Sequence, residues 1–362
     1  MVKTIGILGS GQLGRMIAIA AANLGLRSHI FAPDAATSPA GDVAHQTTTA
    51  AYDDEAALMA FAKSIDGVTS EFENVPSAAL AIIAQHLPIV SPSIAALDTA
   101  QDRLSEKTLA RKLGIATPDF WAVNNGDDLA GALTELQGEG FLKTRRDGYD
   151  GKGQMRVKTG DDSAAIWQAM GQKPLILEAK INFASEASFL IARNEAGQIA
   201  HFPATENQHQ DGILATSTAP ALLDEALIKK GQDAVQSLAE SLSLFGILAM
   251  ESFITADGEV IFNEIAPRPH NSYHWTIEGA NCSQFEQLAR LVGGLPMKAV
   301  SARGQWRMEN LLGQHAAQIP ELLSDASLHT HIYGKDAYKN GRKIGHITYP
   351  LSDSSDKSNK VV

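Results

Sequence analysis

A glycine-rich turn close to the N-terminus is the feature that most constrains the fold. The segment GILGSGQLGRM, residues 6–16, places Gly9, Gly11 and Gly14 in the Gly-x-Gly-x-x-Gly spacing of a dinucleotide-binding turn. An apolar run at residues 4–8 precedes the turn and predicts a buried β-strand. A strand that passes through such a turn into a helix is the opening unit of a dinucleotide-binding α/β fold.

The residues after the turn continue this pattern. A helix is predicted at residues 12–24 and a strand at 28–33, and Asp34 follows that strand. This aspartate lies about 20 positions after the last glycine, where a dinucleotide fold places the acid that binds a ribose. Taken alone, the turn and Asp34 predict an NAD-dependent dehydrogenase.

Strands and helices alternate through the first hundred residues. After Asp34 we predict a helix at 53–64, a strand at 67–70, a helix at 76–86 and a strand at 89–90. This order predicts a parallel sheet covered by helices. A domain boundary is expected near residue 100, before a predicted helix at 102–113.

Composition limits the classes of partner. The chain has 362 residues and a net charge of −11, which disfavours nucleic acid or an anionic membrane surface as partner. Cys282 is the single cysteine, so no disulfide forms within the chain. The N-terminus lacks the basic flank and apolar core of a signal peptide. We therefore expect a cytoplasmic protein of two or three domains.

The segment LKTRRDGYDGKGQ, residues 142–154, is predicted to form the tip of a β-hairpin that spans 141–158. Its three glycines allow backbone N–H groups to approach an anion closely, and Lys143 and Lys152 add positive charge. A flexible flap over phosphates fits this composition. A plain surface hairpin with basic residues fits it equally well.

Two glutamates interrupt apolar strands further along the chain. Glu251 lies in LAMESF and Glu264 in VIFNEIAPR, on predicted strands at 245–254 and 259–264 that a short Asp-Gly turn joins. A carboxylate in an apolar strand is costly unless it is paired or binds a metal. Oxygen ligands, with Asn263 beside them, favour Mg²⁺ on nucleotide phosphates over zinc. Two strand-end acids that face solvent are the alternative.

These features together resemble an ATP-grasp enzyme, and more narrowly the family of N5-carboxyaminoimidazole ribonucleotide synthases. The resemblance covers about residues 4–350. It is carried, in the order found in the family, by the segments GSGQLGRM, DRLSEK, GYDGKGQ, ENQHQDGIL, NEIAPRPHNSYHW and YGKDAYKNGRKIGH.

The resemblance implies a mixed α/β and α+β architecture built around an ATP-grasp fold. We expect a Rossmann-like parallel-sheet domain at residues 1–102 and the ATP-grasp domain, with its flap, at 103–298. A small β-rich C-terminal domain at 299–362 should pack on the ATP-grasp domain and end in a disordered tail from about residue 352. Members of the family are usually homodimers, so a homodimer is expected.

The resemblance also implies a nucleotide site. Two magnesium ions are possible, with Glu251 and Glu264 as metal ligands. The residues that match the family's ATP contacts are Arg103, Lys143, the flap residues Gly148, Tyr149, Asp150, Gly151, Lys152, Gly153 and Gln154, the hinge residues Glu178, Ala179, Lys180 and Ile181, and Glu186, His209, Asn263 and Glu264.

A second set matches the family's contacts to the ribonucleotide and bicarbonate. Arg268, His270, Lys152 and Tyr149 are expected to act in catalysis as well. The matching residues are Gln12, Leu13, Glu71, Glu73, Tyr149, Lys152, Arg268, His270, Asn271, Lys335 and Arg342. In this interpretation the free amides of the glycine-rich turn bind the ribonucleotide instead of NAD. For Glu71 and Glu73, an exposed pair at a strand end is the alternative.

The implied reaction is the ATP- and bicarbonate-dependent carboxylation of 5-aminoimidazole ribonucleotide through carboxyphosphate, with release of ADP and phosphate, in purine biosynthesis. Formate-dependent glycinamide ribonucleotide transformylation, a dehydrogenase and a non-catalytic nucleotide-binding module are the alternatives.

The sequence departs from the family pattern at two places. Tyr273 replaces an expected glycine, and Arg146-Asp147 precede the flap where small residues are common.

Overall fold

A computed structural model describes residues 2–146, 148, 153–351 and 359–361. The predicted flap residues Tyr149, Asp150, Gly151 and Lys152, together with Asp147, lie outside the described residues. Among the helices that are described, none combines the length and the apolar character needed to cross a lipid bilayer.

The N-terminal region forms a parallel sheet with strand order β3-β2-β1-β4-β5. This confirms the alternation predicted from the sequence. Two elements were not predicted, the strand β3 and the helix α4. The elements are β1 (Thr4–Leu8), α1 (Gln12–Asn23), β2 (Arg27–Ala32), β3 (Gln46–Thr49), α2 (Glu55–Ala62), β4 (Gly67–Ser70), α3 (Ser77–Ala84), β5 (Val90–Ser91) and α4 (Ile94–Ala100).

Helix α1 shows why the glycine-rich turn has a fixed position. Leu13, Ile17 and Ala21 repeat every four residues and are all buried, so they form one apolar face. That face belongs to a core that also contains strand residues of the N-terminal sheet and the later helix α10 (Gln284–Val292). The helix, and therefore the turn before it, is held between two regions of the molecule.

The predicted flap hairpin belongs to a small antiparallel sheet with strand order β6-β9-β7-β8. Its apolar side is covered by helices α6 and α7, which supply Leu129, Leu133 and Ile166 to the local core. The elements are α5 (Arg103–Lys112), β6 (Phe120–Val123), α6 (Gly126–Glu135), β7 (Glu139–Thr144), β8 (Gln154–Lys158), α7 (Ser163–Ala169) and β9 (Leu175–Ala179). The hairpin is therefore anchored at its base by the sheet.

A large antiparallel sheet makes up most of the remainder, with strand order β15-β14-β10-β12-β13-β16-β18-β17 and β11 paired to β10. Its strands are β10 (Ser185–Arg193), β11 (Ile199–His201), β12 (Thr205–Gln210), β13 (Ile213–Ala219), β14 (Gly246–Ile254), β15 (Val260–Ala266), β16 (Trp306–Leu312), β17 (His329–Ile332) and β18 (Lys343–Pro350). The C-terminal strands extend this sheet through the pairing of β16 with β13.

One sequence expectation about this sheet is wrong. The polar stretch ATENQHQDGILATS was expected to interrupt the strands, but it forms the hairpin β12–β13. Polar side chains are tolerated there because Asn207 and Ser217 hydrogen bond to each other, and Asn207 also donates to Ser188 on β10. Strand prediction relies on alternating apolar residues. Here hydrogen bonds between buried polar side chains take the place of that apolar pattern.

The remaining helices are α8 (Glu225–Ser241), α9 (Thr276–Gly279), α10 and α11 (Ile319–Ser324). Helix α8 packs on the large sheet through Val235, Leu238 and Ala239. Helix α5 lies along β15, the edge strand, and covers the strand's open side.

Most of the predicted disordered tail lies outside the described residues. Residues 359–361 differ from that expectation, because they are held against β16. The buried carboxylate of Glu309 accepts the backbone N–H groups of Lys360, at 2.9 Å, and Val361, at 2.9 Å. The Val361 side chain joins the apolar core of the C-terminal region.

Candidate active site

A cavity of about 680 Å³ opens where the three sheets approach one another. This volume is in the range that accommodates a nucleotide-sized ligand. Most residues of both predicted site sets line it. They are Gln12, Leu13, Glu71, Glu73, Arg103, Lys143, Gly148, Gly153, Gln154, Glu186, His209, Glu251, Asn263, Glu264, Arg268, His270 and Asn271.

The two predicted metal ligands face each other on adjacent strands. In the β14–β15 ladder Glu251 is paired directly with Glu264. The Glu251 side chain is 14% exposed and the Glu264 side chain 43%, so both belong to the cavity wall instead of a fully open surface. Directly opposed carboxylates repel each other unless positive charge is placed near them.

Two predicted site residues contact the pair, and one of them, Arg103, brings a fixed positive charge. His270 Nε2 lies 2.9 Å from Glu251 Oε1, and Arg103 Nη2 lies 3.8 Å from Glu264 Oε2. Burial alone would raise the pKa of Glu251, but His270, with weaker help from His209 and Lys343, lowers that pKa to about 2. Glu251 is therefore ionised at neutral pH.

The donor set fits a hard divalent cation bound together with phosphates. Among the described residues, no group of three or more His, Cys, Asp or Glu side chains is gathered closely enough to enclose a metal ion. Two carboxylates and the neighbouring Asn263 are an incomplete set of oxygen ligands. Mg²⁺ commonly binds in this way, with one or two carboxylates while phosphate oxygens and water complete the octahedron.

A buried charge cluster lies behind the cavity wall at Lys143. Lys143 Nζ lies 2.8 Å from Glu178 Oε2, and Lys107 Nζ lies 3.1 Å from Glu178 Oε1. Burial opposes ionisation of Glu178, but the two lysines outweigh it and lower the pKa of this carboxyl group. The sequence analysis selected Lys143 and Glu178 and did not select Lys107.

The predicted hinge offers one clear backbone donor. The N–H groups of Ala179 and Lys180 donate to the carbonyls of Asp119 and Glu139, at 2.8 and 2.9 Å. No described residue accepts a hydrogen bond from the N–H of Ile181. That N–H is therefore the hinge donor without a described acceptor, although none of the four predicted hinge residues is among the described residues that line the cavity.

Four side chains from the segments near the predicted hinge also line the cavity. Glu186 Oε2 lies 2.5 Å from His209 Nδ1, so the predicted ribose acid and the nucleotide-side histidine are hydrogen bonded to each other. Phe183 and Phe253 stack with ring centroids 4.8 Å apart and line the same cavity. Sequence reasoning missed this aromatic pair, because nothing in the sequence separates cavity-lining phenylalanines from core phenylalanines.

Arg103 connects the flap base to the metal-binding strand. Its Nη2 donates to the carbonyl of Gly148 at 2.9 Å, and its Nη1 is 3.5 Å from the carbonyl of Thr144. The flanking Arg145 makes a two-pronged ion pair with Asp102, at 3.1 and 2.6 Å. The described flap residues are thus tied to the start of helix α5 (Arg103–Lys112).

The glycine-rich turn differs from expectation. We expected its amides to be free for a substrate, but the Gly11 and Gly14 N–H groups donate to the Glu71 carboxylate, at 2.9 and 3.0 Å. A Cβ atom at Gly9 or Gly11 would lie within 3 Å of the Glu71 side chain. Glu71 therefore occupies the position where a dinucleotide-binding turn holds a phosphate. Asp34, the expected ribose acid of a dinucleotide, accepts from Ser10 at 2.5 Å.

Glu73 and Arg268 join the N-terminal region to the segment that follows β15. The Arg268 Nε donates to Glu73 Oε2, and Nη1 donates to the Pro269 carbonyl at 3.1 Å. Burial would raise the pKa of Glu73, and Arg268 more than offsets it, so the pKa is lowered. The alternative of an exposed strand-end pair is wrong for Glu71, which is buried, and for Glu73, which is ion-paired.

The C-terminal basic residues divide into two groups. Lys343 lines the cavity, although sequence reasoning passed over it, whereas Lys335 and Arg342 are not among the described lining residues. Lys335 Nζ donates to the Lys343 carbonyl at 2.6 Å, and Arg342 is exposed. The two predicted residues therefore lie in the loop that carries Lys343.

Tyr273, the departure from the expected glycine, is fully buried away from solvent. Its hydroxyl donates to the Ser188 carbonyl at 2.7 Å, and its ring packs edge-on against Phe202. The residue fills the core beneath the site and leaves His270 and Asn271 at the cavity surface.

Comparison with known proteins identifies the class. Residues 108–285 match the family model of the ATP-grasp domain, and residues 2–101 match the ribonucleotide synthetase preATP-grasp domain. Residues 307–360 match the phosphoribosylaminoimidazole carboxylase C-terminal domain. With the fold and the cavity described above, the chain is an ATP-grasp ligase.

Individual relatives narrow the class to one family. The chain is 43% identical to the N5-carboxyaminoimidazole ribonucleotide synthase of Brucella melitensis, across 96% of both chains. The enzyme of that name from Bacillus subtilis is 39% identical, across 95% of this chain and 90% of the relative. The chain belongs to the N5-carboxyaminoimidazole ribonucleotide synthase family.

Solved structures agree with this assignment. The N5-carboxyaminoimidazole ribonucleotide synthetase of Thermus thermophilus is similar with a TM-score of 0.89 at 43% identity, covering 96% of this chain and 93% of that one. The Aspergillus clavatus enzyme, solved with ADP and 5-aminoimidazole ribonucleotide, is similar with a TM-score of 0.88 at 30% identity, covering 97% and 94%. The dehydrogenase predicted from the turn alone is wrong.

Proposed function

We propose that this chain carboxylates 5-aminoimidazole ribonucleotide to N5-carboxyaminoimidazole ribonucleotide, using ATP and bicarbonate and releasing ADP and phosphate, in purine biosynthesis. The observation that carries the proposal is the Glu251–Glu264 pair on the wall of a cavity that also contains a basic nucleotide end and a separate Arg268–His270 end. The Aspergillus clavatus relative holds ADP and the ribonucleotide.

The nucleotide end is assigned to ATP. Lys143 and Arg103 line the cavity and would provide positive charge for the phosphates, and Glu186 would bind ribose hydroxyls. The Ile181 N–H, which has no described acceptor, is assigned to the adenine edge. Mg²⁺, held by Glu251 and Glu264, would reduce the charge on the phosphate chain. Glu251 and Glu264 are the residues that would hold one or two such ions.

The other end is assigned to bicarbonate and the ribonucleotide. Arg268 uses Nε for Glu73 and Nη1 for Pro269, and no described residue accepts from its Nη2. That planar N–H group suits a bicarbonate oxygen and the carboxyl part of carboxyphosphate. Gln12, Leu13 and Asn271 line the same end and are assigned to the ribonucleotide.

The reaction then proceeds in two displacements. A bicarbonate oxygen attacks the γ-phosphorus of ATP, ADP leaves, and carboxyphosphate forms. The exocyclic amine of the ribonucleotide attacks the carboxyl carbon, directly or after release of CO₂, and phosphate leaves. His270, with Nδ1 2.8 Å from Ser272 Oγ and Nε2 2.9 Å from Glu251 Oε1, is assigned to orienting the ribonucleotide and bicarbonate at this end of the cavity. Tyr149 and Lys152 are assigned to closure over both ligands.

Lys343, which lines the cavity, is assigned to the 5′-phosphate of the ribonucleotide, and so are Lys335 and Arg342, which match the family's basic positions and lie beside Lys343. We also expect a homodimer.

The test of the whole proposal is phosphate release. Bicarbonate with 5-aminoimidazole ribonucleotide should stimulate it in the presence of Mg·ATP, whereas formate with glycinamide ribonucleotide should not. The reverse result would reassign the substrate to the transformylase class.

A further inference from the structure

Strand β15 contains a bulge at the predicted metal site. Glu251 pairs with Glu264, but the next residue of β14, Ser252, pairs with Phe262. Asn263 is therefore the extra residue of β15, with no partner of its own in this ladder. A bulge of this kind re-aims the neighbouring side chain, which here is Glu264.

Two consecutive buried residues of helix α5 hold the open side of this bulge. Lys107 Nζ donates to the Asn263 carbonyl at 2.7 Å, and Glu106 Oε2 accepts from the Ile265 N–H at 3.0 Å. Lys107 is 1% exposed and Glu106 is 2% exposed. The backbone groups on both sides of Glu264 are thus bound by the buried side chains of Lys107 and Glu106. Burial raises the pKa of the Glu106 carboxyl group to about 8, so this residue adds no full negative charge to the site at neutral pH.

The same lysine also takes part in the buried charge cluster at Lys143. Its Nζ lies 3.1 Å from Glu178 Oε1 and 5.7 Å from the centre of the Phe262 ring. Glu178 also contacts Lys143 through its other oxygen. The cluster therefore contains two cations and one anion, and one positive charge remains. Of the two lysines in the cluster, Lys143 lines the cavity, so a bound phosphate would interact with the remaining positive charge at Lys143.

Without Lys107 this balance would change. Glu178 and Lys143 would form a pair whose charges cancel, so Lys143 would no longer add net positive charge beside Arg103 at the phosphate position. The Asn263 carbonyl would lose its donor at the same time. A fully buried ammonium group is costly, which argues that its three contacts serve the site and not general stability.

We propose that Lys107 is a positioning residue, which neutralises Glu178 so that Lys143 keeps its charge for the nucleotide phosphates, and which holds the bulge that directs Glu264 toward Glu251. The proposal rests on the assignment of this end of the cavity to ATP. It extends that assignment to a residue that touches neither the nucleotide nor the metal.

The test compares ADP with adenosine in direct binding measurements by calorimetry. Lys107→Met should weaken ADP binding about tenfold or more and change adenosine binding less than about twofold, since adenosine lacks the phosphates that need the charge. Lys112→Met is the matched control, because Lys112 is exposed on the same helix. It should bind both ligands like the wild type.

A double variant separates the charge role from a loss of folding. Lys107→Met with Glu178→Gln removes one cation and one anion and leaves Lys143, which lines the cavity, as the remaining charge of the cluster. It should recover most of the lost ADP affinity. It should not recover the gain in ADP affinity that Mg²⁺ gives the wild type, because methionine cannot donate to the Asn263 carbonyl.

Several outcomes would overturn the proposal. ADP affinity unchanged in Lys107→Met would remove any electrostatic role, and equal losses for ADP and adenosine in a folded variant would indicate a structural role only. A double variant that binds ADP as weakly as Lys107→Met would contradict the charge balance. Wild-type protein that bound no ADP would contradict the proposed function instead.

Discussion

Glu251 and Glu264 are directly opposed across the β14–β15 ladder, and each has a different basic partner, His270 for Glu251 and Arg103 for Glu264. The two partners come from different segments of the chain, His270 from the segment after β15 and Arg103 from the start of α5.

The first prediction concerns the metal ligand on the bulged strand. Glu264→Gln should lower kcat for ATP cleavage by about 10²-fold or more, because an amide cannot replace the charge that holds Mg²⁺ against the phosphates. The unfolding midpoint should change little, since Glu264 is partly exposed. Steady-state ADP release and thermal unfolding are the measurements.

Glu259→Gln is the matched control for Glu264. Glu259 lies just before the same strand, and its carboxylate is on the surface, where it pairs with Lys230 at 3.1 Å. Wild-type turnover is expected for this variant. Wild-type turnover in Glu264→Gln would remove the metal assignment.

The second prediction concerns the carboxylate inside the glycine-rich turn. Glu71→Gln keeps the shape of the side chain but places an amide NH₂ group against the Gly11 or Gly14 N–H. Loss of one buried hydrogen bond should reduce the free energy of unfolding by about 1–3 kcal/mol. The KM for the ribonucleotide should rise while ADP affinity stays unchanged, because the turn lies at the substrate end.

Urea unfolding, the KM for the ribonucleotide and the affinity for ADP test this prediction. Glu55→Gln, which changes an exposed residue of the same domain, is the control. A Glu71→Gln variant as stable as the wild type would show that the turn does not depend on this carboxylate.

Thermal-shift measurements on the wild type should also show stabilisation by Mg·ATP and none by NADH.

The sequence predicted the architecture well where it depends on patterns among residues close together in the chain. The parallel N-terminal sheet follows from alternating strands and helices, and the opposition of Glu251 and Glu264 follows from a tight Asp-Gly turn between two strands. The hairpin β12–β13 was missed because its strands are polar. Their buried polar side chains are hydrogen bonded through Asn207. Local patterns do not report such cross-strand networks.

The least predictable parts of the site are partners that are distant in the chain. Glu71 lies 57 residues from Gly14, and Lys107 lies 156 residues from Asn263. A buried lysine on a helix has the same local pattern as a solvated one, so no signal separates Lys107 from Lys112 in the sequence. Only the folded chain shows which of the two has three buried contacts.

The third prediction concerns the C-terminal basic loop. Arg342→Ala and Lys343→Ala should each raise the KM for the ribonucleotide about tenfold or more and the KM for ATP less than about twofold, because a phosphate contact of one substrate is lost. Lys339→Ala, exposed in the same loop, should behave like the wild type. Equal effects on both KM values would assign the two residues a structural role.

The last prediction concerns acid stability and is independent of the cavity. His29 is buried in the N-terminal sheet, with its ring nitrogens 2.9 Å from Ser64 Oγ and 2.8 Å from Thr48 Oγ1. Burial, helped by His45, lowers the pKa of His29 to about 4. The unfolded chain protonates this group near pH 6.5, whereas the folded chain keeps it neutral until about pH 4, so the folded state loses stability as pH falls below 6.5.

The size of the effect follows from the difference between the two pKa values. Between pH 7.5 and 5.5 the wild type should lose about 1.4 kcal/mol of unfolding free energy more than His29→Phe, which has no proton to bind. Urea unfolding at the two pH values measures the difference. His86→Gln, which changes an exposed histidine of the same domain, should keep the wild-type dependence. The same pH slope in His29→Phe and in the wild type would mean that His29 is protonated in the folded protein, and its two hydroxyl contacts would then have to act as acceptors from a charged ring.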